Sequence, residues 1–383
     1  MQFAISGYYG CGNAGDEAVL AGIRESFARR DATSRLLAFS QSPEETARLH
    51  HIVAVDRWNF SAVRLALRES DMLLSGGGSL LQDTTSVRSL LYYLWVIRLA
   101  YAHRVPVMFY AQGIGPLRRA FSRSVVRIAA NRAAYITVRD EPSARLLLSM
   151  GVTHPTIEVT ADPAFALHPA PSESVLAVCR EAGIPADAPL IGVALRPWGG
   201  VGESPVASYA KLLTGLETQC GARVVLLPMQ VPGDVRFAEQ VAEETGRPDA
   251  FPIVRHACSP EVLLGIVQKM QVVVAMRLHA LIFAARVGAL PFALSYDPKV
   301  EHLMRGLELE DCLEHWRGFD PDEVVERIQI LLNEREARST ALLSRRSALE
   351  RLALRNADCA LDVANPEEKM RRAEALIAGR RDA

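Results

Sequence analysis

The six cysteines of this chain, Cys11, Cys179, Cys220, Cys258, Cys312 and Cys359, include no Cys-x-x-Cys pair. Thiols scattered in this way offer neither a zinc site nor a disulfide framework, so a reducing cytoplasm fits best. Charge of one sign is also missing: 43 Lys and Arg meet 44 Asp and Glu, a formal net charge of −1. With no excess to draw in a polyanion, bulk nucleic-acid binding is not expected. Long apolar runs are absent too. The most apolar stretch, residues 90–102, follows Arg88 and is interrupted by Arg98, too short and too charged to span a bilayer. The start, Met1-Gln2-Phe3-Ala4-Ile5, lacks the basic opening and long apolar core of a signal peptide. The expectation is a cytoplasmic protein, with contact at the inner face of the membrane left open.

What is present is ordinary globular material: 49% hydrophobic and 23% charged residues over 383 positions, a length that suits two domains. Short apolar runs alternate with helical-period segments, the pattern of parallel βαβ units. Strands are expected at 2–6, 35–39, 52–55, 72–75, 107–111, 135–138 and 156–160. The Pro-rich stretch His168-Pro169-Ala170-Pro171-Ser172-Glu173 reads as a linker. Strands resume at 190–195, 223–227, 251–254, 271–275 and 291–295, and residues 321–355 read as charged helix. The expected architecture is α/β: two Rossmann-like, doubly wound parallel-sheet domains, 1–170 and 171–383, facing a cleft. No short-period repeat or low-complexity segment is visible.

In doubly wound sheets ligands bind beyond the carboxyl ends of the strands. The polar, glycine-rich and cationic motifs fall there: Gly7-Tyr8-Tyr9-Gly10, Gly76-Gly77-Gly78-Ser79, Gln112-Gly113-Ile114-Gly115, Arg139-Asp140-Glu141, Ala161-Asp162-Pro163, Arg196-Pro197-Trp198, Arg277-Leu278-His279 and Tyr296-Asp297-Pro298-Lys299. Gly10-Cys11-Gly12-Asn13-Ala14-Gly15 matches a dinucleotide-binding string. However, its glycines begin past the strand and no carboxylate ends the second strand, which disfavours a nicotinamide or flavin site. Either the string is a tight turn feeding a helix, or Asn13, Asp16 and Glu17 are polar ligands for a sugar. The triple glycine 76–78 demands a close backbone approach, to a ligand or to a packed helix, and no P-loop Gly-Lys-Ser/Thr follows it.

The sharpest signal is the apolar run 272–275 entering a helix through Met276-Arg277-Leu278-His279. A helix start offers N–H groups and partial positive charge, and Arg277 adds a fork suited to phosphate or carboxylate. A lone histidine is usually structural, but one beside a cation at a helix start points to ligand contact or catalysis. Lys299, Arg139 and Arg196 hold equivalent strand-end places and complete a cationic cradle. Arg119, Arg123 and Arg127 form a stripe read as a solvated face, with anionic lipid or pyrophosphate as the other reading. Residues 90–97, with Tyr92, Tyr93 and Trp95, read as a buried helix sooner than as a lipid-carrier surface.

In their order, Ser6–Gly10 with Gly12–Glu17, Ser75–Asp83, Gln112–Pro116, Val138–Asp140, Ala161–Pro163 and Met276–Ala280 resemble the polysaccharide pyruvyl transferases. The narrower likeness is to bacterial cell-wall-polymer ketal pyruvyltransferases linked to S-layer anchoring. The resemblance runs from the first strand to about Lys299. It implies a fold similar to two-domain GT-B glycosyltransferases, phosphoenolpyruvate as donor, and a sugar acceptor leaving as a pyruvate ketal. In the narrower group the acceptor is N-acetylmannosamine of a lipid-linked disaccharide, ketalised across O4 and O6. On that resemblance Arg277, Lys299, Arg139 and Arg196 would bind phosphoenolpyruvate, and His279 would be the general acid. Asp16 or Asp83 would act on acceptor hydroxyls, and Tyr9, Asn13, Glu17, Gly77, Gly78, Asp83 and Gln112 would line the acceptor. Neither a metal nor a cofactor is implied. The rival readings are a GT-B glycosyltransferase with a nucleotide-sugar donor and a non-catalytic binder of carbohydrate or lipid carrier.

Overall fold

The computed structural model describes residues 1–84, 86–197 and 205–365. Trp198, read above as part of a strand-end motif, and the stretch after residue 365, counted above in the second domain, lie outside them. The chain forms two compact units. The first comprises Met1–Cys11, Val19–Ala166 and the chain from Leu349 on; the second comprises Gly12–Ala18 and Leu167–Ala348.

Unit 1 is built on seven strands: β1 (Gln2–Tyr9), β2 (Arg35–Ser40), β3 (Val53–Asp56), β4 (Met72–Gly76), β5 (Val107–Gln112), β6 (Tyr135–Val138) and β7 (Ile157–Val159). All pairs are parallel, in the order β3-β2-β1-β4-β5-β6-β7. The helices that begin between these strands are α1 (Ala14–Arg30), α2 (Pro43–His50), α3 (Phe60–Arg68), α4 (Val87–Ala102), α5 (Ala120–Ala130) and α6 (Glu141–Ser149). Local chemistry starts several of them. The side chains of Asn59, Ser86 and Asp140 accept backbone N–H bonds at the starts of α3, α4 and α6.

The central strands β4 and β5 are buried along their whole length, as parallel strands covered on both faces must be. Side-chain alternation divides the core in two. Ala4, Leu73, Val107 and Phe109 meet Leu67, Leu90, Val96, Val126 and Leu147 on one face. Phe3, Ile5, Leu74 and Tyr110 meet Leu20, Phe27, Ala357 and Leu361 on the other.

Unit 2 carries five parallel strands: β8 (Leu190–Ala194), β9 (Arg223–Leu226), β10 (Val272–Ala275), β11 (Leu290–Ser295) and β12 (Leu313–His315), in the order β12-β11-β10-β8-β9. Its helices are α7 (Ser172–Glu181), α8 (Val206–Gln219), α9 (Gly233–Glu244), α10 (Pro260–Val267), α11 (Leu278–Val287), α12 (Pro298–Gly306) and α13 (Pro321–Asn333). A last helix, α14 (Arg335–Ala364), starts here and ends in unit 1.

The α/β class with two parallel sheets is as expected, but two strand assignments change. Residues 251–254 form no ladder. They make one isolated bridge, Ile253 with Leu226, because Pro252 has no N–H to continue the pairing. The edge strand lies instead at β12, beside β11.

Strand order reverses between β1 and β4 in the first sheet and between β8 and β10 in the second. Such switch points open a crevice beyond the strand ends. At the first stand Gly7–Gly12 and Gly76–Ser79; at the second stand Arg196 and the turn 276–279.

Within unit 1, α14 is pinned by a fully buried amide. Asn356 Nδ2 donates to the carbonyls of Ala161 (3.2 Å) and Ala353 (2.9 Å), and its Oδ1 accepts from the Thr160 hydroxyl (2.8 Å). Asn356→Ala would strand these buried partners and should cost about 2 kcal/mol. A urea titration should show this as a lowered midpoint; an unchanged midpoint would mean that the anchor is dispensable.

Candidate active site

The turn after β10 is shaped from both sides. Val272–Met276 is buried, which fixes the strand, and Arg277 leaves it in extended conformation (φ −81°, ψ 120°) as the N-cap of α11. The Arg277 side chain does not cap that helix, since a guanidinium has no acceptor for its free N–H groups; it is turned to Asp234. Arg277 Nε donates to Asp234 Oδ2 (2.9 Å) and Nη2 donates to Oδ1, a bidentate fork. The other η-nitrogen is not used by Asp234.

Asp234 is only 2% exposed and takes two further donors, the N–H groups of Met229 (3.2 Å) and Gln230 (3.1 Å). One carboxylate thus ties the turn at 277 to the loop 229–234. That loop in turn holds the start of α1. Asn13 and Gln230 form an antiparallel bridge, Ala14 N–H donates to Met229 O (2.8 Å), and Val231 N–H donates to Gly12 O (3.0 Å). Gly12 has a left-handed φ of 68°, and a Cβ there would stand 2.7 Å from the Val231 carbonyl oxygen.

Asn13 Oδ1 then accepts from the N–H groups of Gly15 (2.9 Å) and Asp16 (3.4 Å), capping α1. Gly15 is the residue that meets His279: a Cβ at position 15 would overlap the imidazole. Alanine in a helix is ordinarily favoured over glycine by about 1 kcal/mol, so the glycine here answers a need for space. The first turn of α1, with Asn13, Asp16 and Glu17, therefore lies against the half-buried His279 within unit 2.

Arg196 and Lys299, the other two cations of unit 2 expected at the site, also have partners. Arg196 Nη1 donates to the Tyr296 hydroxyl (2.6 Å) and its guanidinium stands 4.8 Å from that ring's centroid. Lys299 Nζ is 3.2 Å from Asp297, and the same carboxylate caps α12 by accepting Lys299 N–H (3.1 Å). The Lys299 side chain remains 35% exposed, so an incoming anion can compete for it.

In unit 1 the expected ligand residues mostly hold the strand ends. Tyr9 is buried and its hydroxyl donates to the Gly76 carbonyl (2.9 Å); its exposed neighbour is Tyr8. Gly77 and Gly78 both have left-handed φ, and a Cβ at Gly77 would overlap Val19, so close packing on α1 is one demand on this glycine. The Arg139 side chain is 6% exposed and bonds Asp162 (2.8 Å) and the Ser79 hydroxyl (3.0 Å). A Cβ at Gly113 would stand 2.9 Å from both Arg139 Nε and Ser79 Oγ.

Asp83 accepts from the N–H groups of Arg118 (2.8 Å) and Arg119 (2.9 Å). Burial pushes its pKa up, but those bonds and the Ser122 hydroxyl outweigh it and leave the carboxyl below its ordinary value. Gln112 is fully buried, and its Oε1 lies 3.4 Å from the Ser75 hydroxyl.

Residues 13–298, about three quarters of the chain, match the family described as polysaccharide pyruvyl transferase. The chain belongs to this family. No curated protein matches it. Among solved structures, it is similar to UDP-GlcNAc 2-epimerase from Neisseria meningitidis bound to UDP-GlcNAc, at 12% identity and a TM-score of 0.60, over 95% of this chain and 99% of that one. It is similar to a glycosyltransferase from Rickettsia africae at 10% identity and a TM-score of 0.59, over 94% and 98%. It also resembles the E. coli ADP-heptose lipopolysaccharide heptosyltransferase II at 13% identity and a TM-score of 0.52, over 88% and 100%. Identities this low establish the GT-B-like fold of this pyruvyl transferase family member and nothing about its ligand.

Sequence reasoning missed two members of the site. Asp234 follows a proline and a glycine at the start of α9, where an acid is expected for helix reasons alone. Gly15 was visible only as the last glycine of a motif. Asp234→Asn should leave the partly buried guanidinium of Arg277 without its counter-charge and destabilise the protein by about 3 kcal/mol. Thermal and urea unfolding would measure it; a variant as stable as the parent would show that Arg277 does not depend on this carboxylate.

Proposed function

We propose that this protein transfers pyruvate from phosphoenolpyruvate to a sugar of a cell-wall polysaccharide precursor as a 4,6-linked ketal, releasing phosphate. The acceptor of this reading is N-acetylmannosamine of a lipid-linked disaccharide, met at the inner face of the membrane. The family supports the transferase chemistry. The observation that carries the assignment to residues is the packing of His279 on Gly15. It sets a candidate proton donor, two positions after Arg277, against the first turn of α1, which also carries Asp16.

Phosphoenolpyruvate brings a phosphate and a carboxylate. Lys299 and the η-nitrogen of Arg277 left over from Asp234 take the phosphate, and Arg196 takes the carboxylate. Arg139, already matched by Asp162, holds the β6 end in this reading and does not bind the donor. His279 delivers a proton to the methylene carbon, leaving positive charge at C2. A sugar hydroxyl, oriented by Asp16, attacks C2 and passes its proton to that carboxylate. The C2–O bond breaks, phosphate leaves with that proton, and the second hydroxyl closes the ring as its own proton returns to His279. One donor and one diol thus give one ketal and one phosphate. The cations stabilise the departing phosphate electrostatically. Asp83 is not the base here, because Arg118 and Arg119 already hold its carboxylate.

Incubation with phosphoenolpyruvate and a panel of synthetic or lipid-linked disaccharides should release phosphate only when both substrates are present. Mass spectrometry should find a product heavier by pyruvate less water. Nucleotide-sugar consumption without phosphoenolpyruvate turnover would replace this reading with a glycosyltransferase.

Two substitutions test the roles. His279→Gln should lower kcat by about 100-fold or more while phosphoenolpyruvate still raises the Tm. Near-normal turnover would remove His279 as the acid. Gly15→Ala should displace the imidazole and lower kcat on the order of tenfold or more. The purely structural alternative for Gly15 predicts a lowered Tm with kcat preserved in the folded fraction.

A further inference from the structure

Helices α3, α4 and α5 pack side by side over one face of the seven-stranded sheet, with Val63, Leu67, Leu90, Val96 and Val126 turned into a shared core. Their outward surfaces have an unusual charge. The three helices carry Arg64, Arg68, Arg88, Arg98, Arg123 and Arg127 and not one Asp or Glu. The nearest acids are at the margins: Asp56 before α3, Glu69 and Asp71 after it, and the buried Asp83 before α4, held by the amides of residues 118 and 119. No ion pair involves any of the six arginines among the described residues. The whole chain has a formal net charge of −1, so this face departs from the average. By contrast, α6, α9 and α13 carry acids.

The same surface leaves large apolar side chains in water. Trp58, Phe60, Leu65, Leu91, Phe121 and Ile128 are each between 43% and 60% exposed. Those near the start of α3 are held by aromatic neighbours. Phe60 meets the Trp95 ring edge-on at 4.9 Å, and Trp58 lies 5.2 Å from Tyr92. The Arg57 guanidinium sits 4.3 Å from the Tyr92 centroid.

We propose that the α3–α4–α5 face of unit 1 docks on an anionic lipid bilayer. Arginines with no carboxylate partner meet anionic headgroups, and the rings and aliphatic side chains enter the headgroup–acyl boundary. This deepens the reading of a lipid-linked acceptor but stands on the surface alone. A second copy of the same face is a poor partner, because a two-fold contact would set arginine against arginine. RNA fits less well, because the Trp58 and Phe60 rings already pack on Tyr92 and Trp95, and Leu65, Leu91 and Ile128 offer no ring on which bases can stack. No helix among the described residues is long and apolar enough to cross a membrane, so the contact is peripheral.

The test is co-sedimentation of the full chain with phosphatidylcholine vesicles, with and without phosphatidylglycerol, at low and high salt. The protein should pellet with the anionic vesicles only, and salt should release part of it. Arg123→Glu with Arg127→Glu should lower partitioning by at least about tenfold. Phe60→Ser with Phe121→Ser should lower it at low and high salt alike. Both pairs are on the surface, and an unchanged Tm would show that folding is intact. The proposal is overturned if the parent stays in the supernatant at low salt or if both double variants bind as it does. Capture by a single-stranded RNA homopolymer without vesicle binding would also overturn it. None of these outcomes depends on phosphoenolpyruvate turnover, so the pyruvyl-transfer reading stands or falls separately.

Discussion

The carboxylate of Asp234 receives four donors, two from Arg277 and two from the backbone at Met229 and Gln230. A buried carboxylate and a mostly buried guanidinium are each costly alone, and together they satisfy one another. This one pairing orients the turn between β10 and α11. It also fixes the loop whose edge pairs with Gly12–Ala14, and through that segment it sets Gly15 against His279. The site is therefore close to electrically balanced around Arg277 before any substrate arrives. One η-nitrogen of Arg277 lies outside the pair.

The two switch points divide the work unequally. At the β1/β4 switch of unit 1, polar groups mostly secure the strand ends: Tyr9 to Gly76, Arg139 to Asp162 and Ser79, Asp83 to the amides of residues 118 and 119. At the β8/β10 switch of unit 2, Lys299, with 35% of its side chain exposed, and the partly buried His279 and Asp16 are less fully enclosed. Buried and saturated groups make a rigid rim, and the half-buried ones are the candidates for chemistry.

Much of this was legible in the chain. Parallel strands buried on both faces read as short apolar runs, so the two sheets follow from periodicity, and the turn at 276–279 announces itself because an apolar strand runs straight into Arg and His. The failures have physical causes. Residues 251–254 are apolar enough for a strand, but Pro252 removes the donor a ladder needs. β12 is three residues long and too short for any alternation to show. Asp234 looks like an ordinary helix-start acid until the fold brings Arg277 to it across 43 positions. Gly15 lies within a string that elsewhere cradles phosphates, and only the neighbouring imidazole reveals the need for space. Pairwise events at long range leave no local trace.

The segment Gly12–Ala18 belongs to unit 2 although some 150 residues separate it from the rest of that unit. Heredity is affected by this. A recombination joining the first sheet of one relative to the second sheet of another, cut at the Pro-rich stretch, would pair the His279 of one lineage with the helix start of the other. Such a hybrid would keep both cores, yet it would match an imidazole to a glycine selected against a different partner. Each sheet has its own core, but the seven residues of this excursion make the two a single unit of inheritance.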